Sequence, residues 1–295
     1  MLFVFASAST WATEKQDSAI TVMASIKPLQ LITLELTKGV TDVDVLLGSN
    51  TSPHDYALKP SDIRKLKSAD LFVWVGPGLE SFLESSLEGA SNSLQLDQSS
   101  SIKKIEYDEH EGHEHHDDGH HHHGNYNPHI WLGPTQAQQM AKVISDKLAV
   151  IDPQHTKEYA QNYADFVKQL ATTTAAIEQK VSTVKDHGYY VFHDAYEYYE
   201  SYFKLNHLGA FTVSPDRRPG AKTLIDIRTK LQSDEVYCVF AEPQFTPAVI
   251  ESTMRGTNVK LGQLDPLATD YQAQVGAYFQ FLQDLGSQFQ SCLTR

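Results

Sequence analysis

Four segments place a potential metal ligand just past an apparent strand or in a neighbouring loop. His54 lies in GSNTSPHDYALKPSD, His129 in NYNPHIWLGP, His193 in YYVFHDAYEYY and Asp265 in QLDPLATDY. Neutral imidazole is a good ligand for zinc, copper and nickel. In open α/β sheets, ligands collect in the crevice beyond the carboxyl ends of the strands. Four such loops, two from each half of the chain, could converge on one ion there. A single histidine at a strand end is more often a hydrogen-bonded structural residue. The weight lies in the set.

A second histidine population is of a different kind. Residues 106–123 read EYDEHEGHEHHDDGHHHH and hold eight histidines and seven acids. The histidines are His110, His113, His115, His116, His120, His121, His122 and His123. The tract has no Val, Leu, Phe, Trp, Lys or Arg. Nothing in it offsets the entropy of ordering the chain, so a mobile, solvated loop is expected. Its composition is a metal-binding signal, and the interleaved carboxylates gather cations.

The chain has 295 residues and a formal net charge of -13. That length suggests about two domains. No basic stripe occurs, so a nucleic-acid partner is not expected, and the anionic field favours cations. The start, MLFVFASASTWATEKQ, is apolar up to Ala12, with small residues before Thr13. Residues 1–12 are read as the remnant of a secretory signal whose true start lies upstream. Export is therefore expected. Cys238 and Cys292 share no metal-ligand spacing. In an exported protein the pair points to one disulfide, with two buried thiols as the alternative.

The elements that must position these side chains follow from periodicity. Strands are predicted in AITVMAS, VDVLLG and LFVWVG, alternating with helices in LITLEL, KPSDIRKLKSAD and GLESFLESSLEG. Such alternation indicates an α/β lobe with a largely parallel sheet. This lobe spans 18–152, with the histidine loop inside it and a helix from WLGPTQ to Asp152. Residues 153–187 lack internal Pro and Gly and keep helical apolar spacing up to Gly188. They predict one long linking helix, roughly 50 Å at 1.5 Å per residue. A second α/β lobe occupies 188–295. Its strands are GYYVFHD, LGAFTV, VYCVFAEP and VKLGQLDP, and a last helix starts near Asp270.

The segments SPHDYALKPSD, NPHIWL, FHDAYEYY, FAEPQF and LDPLAT closely resemble the ZnuA type, the periplasmic zinc-binding component of bacterial ABC transporters. An acidic histidine loop just before the second ligand motif adds to the resemblance, which runs from about Ile20 to Cys292. It implies two α/β lobes joined by one long backbone helix, with the metal in the cleft between them. It implies His54, His129 and His193 as zinc ligands. Asp265 matches a ligand position of manganese-binding relatives, so the fourth ligand is Asp265 or water. Some members carry Glu just before the first histidine, where this sequence has Pro53. The cysteine pair matches a disulfide of close relatives. Three imidazoles with at most one oxygen suit tetrahedral Zn2+ better than Mn2+, which prefers more oxygen.

The expected function is capture of Zn2+ by a monomer, which delivers it to the membrane permease of an ABC transporter. Two alternatives stand beside it: a hydrolase-type zinc enzyme using the three histidines, and a periplasmic metal buffer or sensor. No enzymatic activity is expected, since H-E-x-x-H is absent, and the phosphate-binding GxxxxGK[ST] motif is absent too. Asp55 and Asp194 are read either as acceptors orienting the imidazoles or as helix caps. Glu242 is placed near the cleft or at a buried strand end. His155, His187 and His207 are read as structural or surface residues.

Overall fold

The computed structural model describes residues 20–48, 51–107, 126–215, 218–246 and 248–294. Residues 1–12, read above as a signal remnant, and all eight histidines of the loop lie outside the described residues.

The first half contains β1 (Val22–Ala24), α1 (Lys27–Thr37), β2 (Val43–Val45), α2 (Pro60–Ser68), β3 (Leu71–Trp74), α3 (Glu84–Leu87) and β4 (Ser93–Gln95). Then come α4 (Pro134–Ile151) and α5 (Thr156–Val181). The second half contains β5 (Gly188–His193), α6 (Glu197–Phe203), β6 (His207–Thr212), α7 (Ala221–Leu231), β7 (Val236–Ala241), α8 (Ala248–Met254), β8 (Lys260–Gln263) and α9 (Ala277–Leu293). Each half forms one four-stranded sheet in which every pairing is parallel. The orders are β2-β1-β3-β4 and β6-β5-β7-β8, the same pattern twice. The predicted α/β class with two mainly parallel sheets is the observed one.

Some elements differ from their sequence reading. The strand β4 is missed because its three residues, SLQ, are half-buried and carry a single apolar side chain. Helix α1 starts at Lys27 rather than after a turn, because Pro28 sits in its first turn, where a missing N–H costs nothing. The long helix α5 has 26 residues, so it is about 39 Å long rather than 50 Å. A 3-10 turn precedes it at Pro153–His155, and turns follow Val181. Its buried residues Tyr159, Phe166, Leu170, Thr173, Ile177 and Val181 recur at helical spacing along one face. That face packs on α9, α4 and α1. Helix α9 begins at Ala277, where Gly276 takes a left-handed φ of 90° and starts a new direction.

One continuous apolar core runs from β1 and β3 through α4, α5 and α9 to β5 and β7. A smaller cluster on the other side of the second sheet joins Tyr190, Phe192 and Phe211 to α7 and α8. The halves are therefore welded through shared helices. Among the described residues no helix is long and apolar enough to cross a membrane.

Cys238 of β7 and Cys292 of α9 are bonded as a disulfide, with a sequence separation of 54. The crosslink ties the last helix to the sheet and removes unfolded-state freedom. A loop of this length corresponds to about 4 kcal/mol in the chain-entropy account. The double variant C238A/C292A should lose stability of that order, read from denaturant melts of both proteins. An unchanged midpoint would contradict the crosslink's role.

Candidate metal centre

Every wall of the cleft comes from a segment that follows a strand or leads into a helix. His54 lies on the segment between β2 and α2, and His129 precedes the 3-10 turn Ile130–Leu132 that leads into α4. His193 is the last residue of β5, and Glu242 follows β7. Strands β5 and β7 are neighbours whose chain connections leave in opposite directions, so His193 and Glu242 stand at the switch point of the second sheet. The equivalent place in the first sheet, past β1 and β3, is closed. There Glu80, fully buried, accepts from Ser25 Oγ (2.5 Å) and Gly76 N (3.0 Å).

The three histidines meet. His54 Nε2 and His193 Nε2 are each 3.2 Å from His129 Nε2. His129 and His193 are each 2% exposed, and His54 is half-buried. The cleft is also lined by Ser52, Pro53, Glu242, Gln244, Phe245 and Leu267.

The hydrogen bonds on the far side of two rings fix what the near side can do. His129 Nδ1 is 2.8 Å from Asn127 Oδ1, which also accepts from His129 N at 3.1 Å. Asn127 Nδ2 donates to the Asp194 carbonyl at 3.0 Å and to Glu197 Oε2 at 3.1 Å. Those two acceptors settle the amide's orientation, so His129 Nδ1 carries the proton. His193 Nδ1 is 2.6 Å from Glu242 Oε1, and a carboxylate there accepts a hydrogen bond from Nδ1–H. With both rings neutral, as metal ligation requires, the two Nε2 atoms present lone pairs 3.2 Å apart and out of water. Burial, with His193 and His54 beside it, also holds the His129 imidazole well below its usual pKa. Two facing lone pairs repel unless a cation stands between them. Ligand nitrogens about 2.0–2.1 Å from a tetrahedral Zn2+ lie about 3.3–3.4 Å apart, close to the observed spacing.

The other candidate ligand stands apart from this group. Asp265 accepts from Gln244 Nε2 (2.6 Å), Leu267 N (2.9 Å) and Thr269 N (2.5 Å). These bonds close a turn in which Ala268 has a φ of 51°, a left-handed conformation that needs such support. In the cleft, among the described residues, the atoms that could ligate a common ion are those of His54, His129 and His193. The orienting acceptors are Asn127 and Glu242. Asp55 is exposed, and the Asp194 side chain bonds neither imidazole. Asn127 was missed by sequence reasoning. Its only signal is an Asn two residues before a histidine, with Pro128 between.

The apolar residues after His129 have a clear purpose. Ile130, Trp131 and Leu132 are all fully buried. Trp131 Nε1 donates to the Pro266 carbonyl at 2.7 Å, and the Trp131 carbonyl accepts from Tyr278 OH at 2.7 Å. The segment is thus a wedge that fixes His129 against the second half. Tyr198 is buried and bonds Ile105 and Asn127 on either side of the histidine loop. His155 pairs with Asp152, and His187 stacks on Tyr237, both as structural residues.

A family model described as zinc-uptake complex component A periplasmic, ZnuA, matches residues 22–292. The chain belongs to the ZnuA family. It is similar to the high-affinity zinc uptake system protein ZnuA of Yersinia pestis, 42% identical, covering 98% of this chain and 96% of the relative. The protein of that name from Haemophilus ducreyi is 45% identical, covering 93% of each. A crystal structure of ZnuA superposes with a TM-score of 0.79 at 24% identity, covering 94% of this chain and 100% of that one. A Zn(II)-bound AdcAII E280Q variant of Streptococcus pneumoniae superposes at 0.78 and 26% identity, covering 94% of this chain and 99% of that one. The family is one of solute-binding transport proteins, described as periplasmic.

Two predictions follow from the ring geometry. Glu242→Gln and Asn127→Ala should each weaken zinc binding by about 10–100-fold, as removal of an orienting partner does elsewhere. Chelator-competition titration reads this, and wild-type affinity in both variants would refute the orienting role. The second concerns metal-free protein. A histidine whose folded pKa lies below its unfolded value of 6.5 lends stability that is present above 6.5. That stability is lost as pH falls from there through the folded value. Metal-free His129→Gln should therefore lose less stability than wild type between neutral pH and mild acid. Parallel melts across that window give the comparison, and identical slopes would refute the assignment.

Proposed function

We propose that the chain captures Zn2+ between its two halves, with His54, His129 and His193 as ligands, and delivers it to the permease of an ABC transporter. The observation that carries this reading is the convergence of the Nε2 atoms at 3.2 Å with the tautomers of His129 and His193 fixed. Neutral nitrogen donors at tetrahedral spacing favour Zn2+ over Mn2+. A water is the fourth ligand, because the Asp265 carboxylate is committed to its own turn. One face of the ion then stays open to exchange. The zinc-uptake names of the relatives support zinc as the cargo, and the family description supports a periplasmic site of action.

The chain acts as a binding protein without catalysis of its own. A hydrolytic zinc site needs a free general base beside the metal-bound water. Glu242, the carboxylate lining the cleft, is engaged by His193 Nδ1. The histidine loop is an auxiliary collector. Its ligands are numerous, but binding them must overcome the entropy of the chain, and its tether raises the metal concentration near the cleft.

His54→Ala, His129→Ala and His193→Ala should each abolish tight zinc binding and leave the fold intact, because both sheets are held by apolar packing. Calorimetry with circular dichroism reads both properties, and an unchanged tight site in any one variant would falsify the ligand set. Removing residues 108–123 should keep the tight site and delete weaker ones. Side-by-side zinc titrations decide this: loss of the tight site, or an unchanged number of bound ions, would sink the collector role.

A further inference from the structure

Beyond the cleft, three more metal-capable side chains converge. Asp194 follows β5, Glu200 lies in α6 and His207 opens β6, and their ligand-capable atoms all lie within 4.8 Å of one another. His207 Nδ1 is 3.3 Å from Glu200 Oε2, and the other oxygen, Oε1, accepts from Tyr189 OH at 2.9 Å. The Tyr189 ring lies against the His207 ring, with centroids 5.8 Å apart. These contacts hold the imidazole and one carboxylate in place.

The cluster is not satisfied by its own members. Asp194 Oδ1 and His207 Nε2 are buried and have no hydrogen-bond partner among the described residues. Buried polar atoms are almost always paired, so two orphans in one cluster point to a group that completes it. Glu200 is 4% exposed, and burial raises its pKa to about 7. Ionising two carboxylates so close together in a place of low dielectric, with a single imidazole beside them, calls for further positive charge. A divalent cation would supply it.

We propose that Asp194, Glu200 and His207 form a second site for a divalent transition-metal ion, bound by one imidazole nitrogen and two carboxylate oxygens. This donor set is richer in oxygen than the cleft and suits Zn2+ while also accepting Co2+ and Mn2+. The His207 side chain is 22% exposed, which gives the ion a way in. The site is one residue from His193, and Asn127 joins the two, since its Nδ2 donates to the Asp194 carbonyl while its Oδ1 orients His129. The sequence reading of His207 as merely structural follows from its lying outside every ligand motif.

The test uses the full chain as wild type, His207→Gln, His129→Ala and the double variant, each dialysed against Zn2+ and counted for bound metal. His207→Gln should bind one ion fewer than wild type and keep its tightest site. Zinc should raise the melting temperature of His129→Ala more than that of His129→Ala/His207→Gln. If His207→Gln lowers only the metal-free melting temperature and binds as many ions as wild type, the cluster is a structural ion pair and the proposal falls. Should His207→Gln fail to fold, Asp194→Asn gives the same reading, because its Oδ1 has no partner to lose among the described residues. His129→Ala reports on the cleft and His207→Gln on this cluster, so either assignment can fail alone.

Discussion

A proton on the outer nitrogen of an imidazole is the constraint on which the centre depends. His129 and His193 each keep a proton on Nδ1 and donate it in a hydrogen bond to a fixed oxygen, Asn127 Oδ1 or Glu242 Oε1, so that a neutral ring turns its Nε2 lone pair inward. Without those acceptors either ring could turn or change tautomer, and the convergence would be lost. The acceptors need anchors of their own. Asn127 is held through its amide nitrogen by Asp194 and Glu197, so a residue of the first half takes its orientation from the second. Glu242 is buried at the end of β7, next to the strand that carries His193. Orientation thus passes from the second sheet to its own histidine and, through Asn127, to the histidine of the other half.

The shared core sets how far the halves can move. Helices α4, α5 and α9 belong to one continuous apolar cluster with strands of both sheets. Trp131 bonds to Pro266, and Gly276 N donates to Glu35, a carboxylate whose pKa burial raises. These links cross between the halves near the cleft and away from it. A cleft walled by such a body is pre-formed, and its ligands pay little reorganisation on binding.

Much of this was legible in the sequence, and the rest failed for physical reasons. The alternation of apolar runs with helical patterns gave both sheets, because strands buried on both faces, such as LFVW, stand out as continuous apolar runs. The SLQ strand did not stand out, since an edge strand with half-buried residues has no such signature. His54, His129 and His193 were expected as ligands from their strand-end and loop places, and the fold brings the three together. Asp265 shared that appearance, yet its carboxylate serves a turn around Ala268, which depends on backbone conformation and leaves no trace in residue types. Asn127 and Glu242 are defined by which atom faces which ring, a property that arises only on folding and, for Asn127, only when both halves are assembled. His207 and Glu200 come together by folding across α6 and carry no spacing signal at all.

The histidine loop departs and returns through a single gate. Glu106 and Tyr126 form an antiparallel bridge, and Asn127 N donates to the Ile105 carbonyl at 2.9 Å. Tyr198 OH accepts from Ile105 N and donates to the Asn127 carbonyl, so one phenol pins both strands of the gate. The two chain ends that flank any insert there are thus held side by side. The cost of closing a longer insert grows only with the logarithm of its length. Insert length and composition are therefore free variables for evolution, decoupled from the position of His129 three residues on. The same gate is a ready port for engineering, where a reporter or a foreign binding peptide can replace the tract while Tyr198 keeps the seam shut.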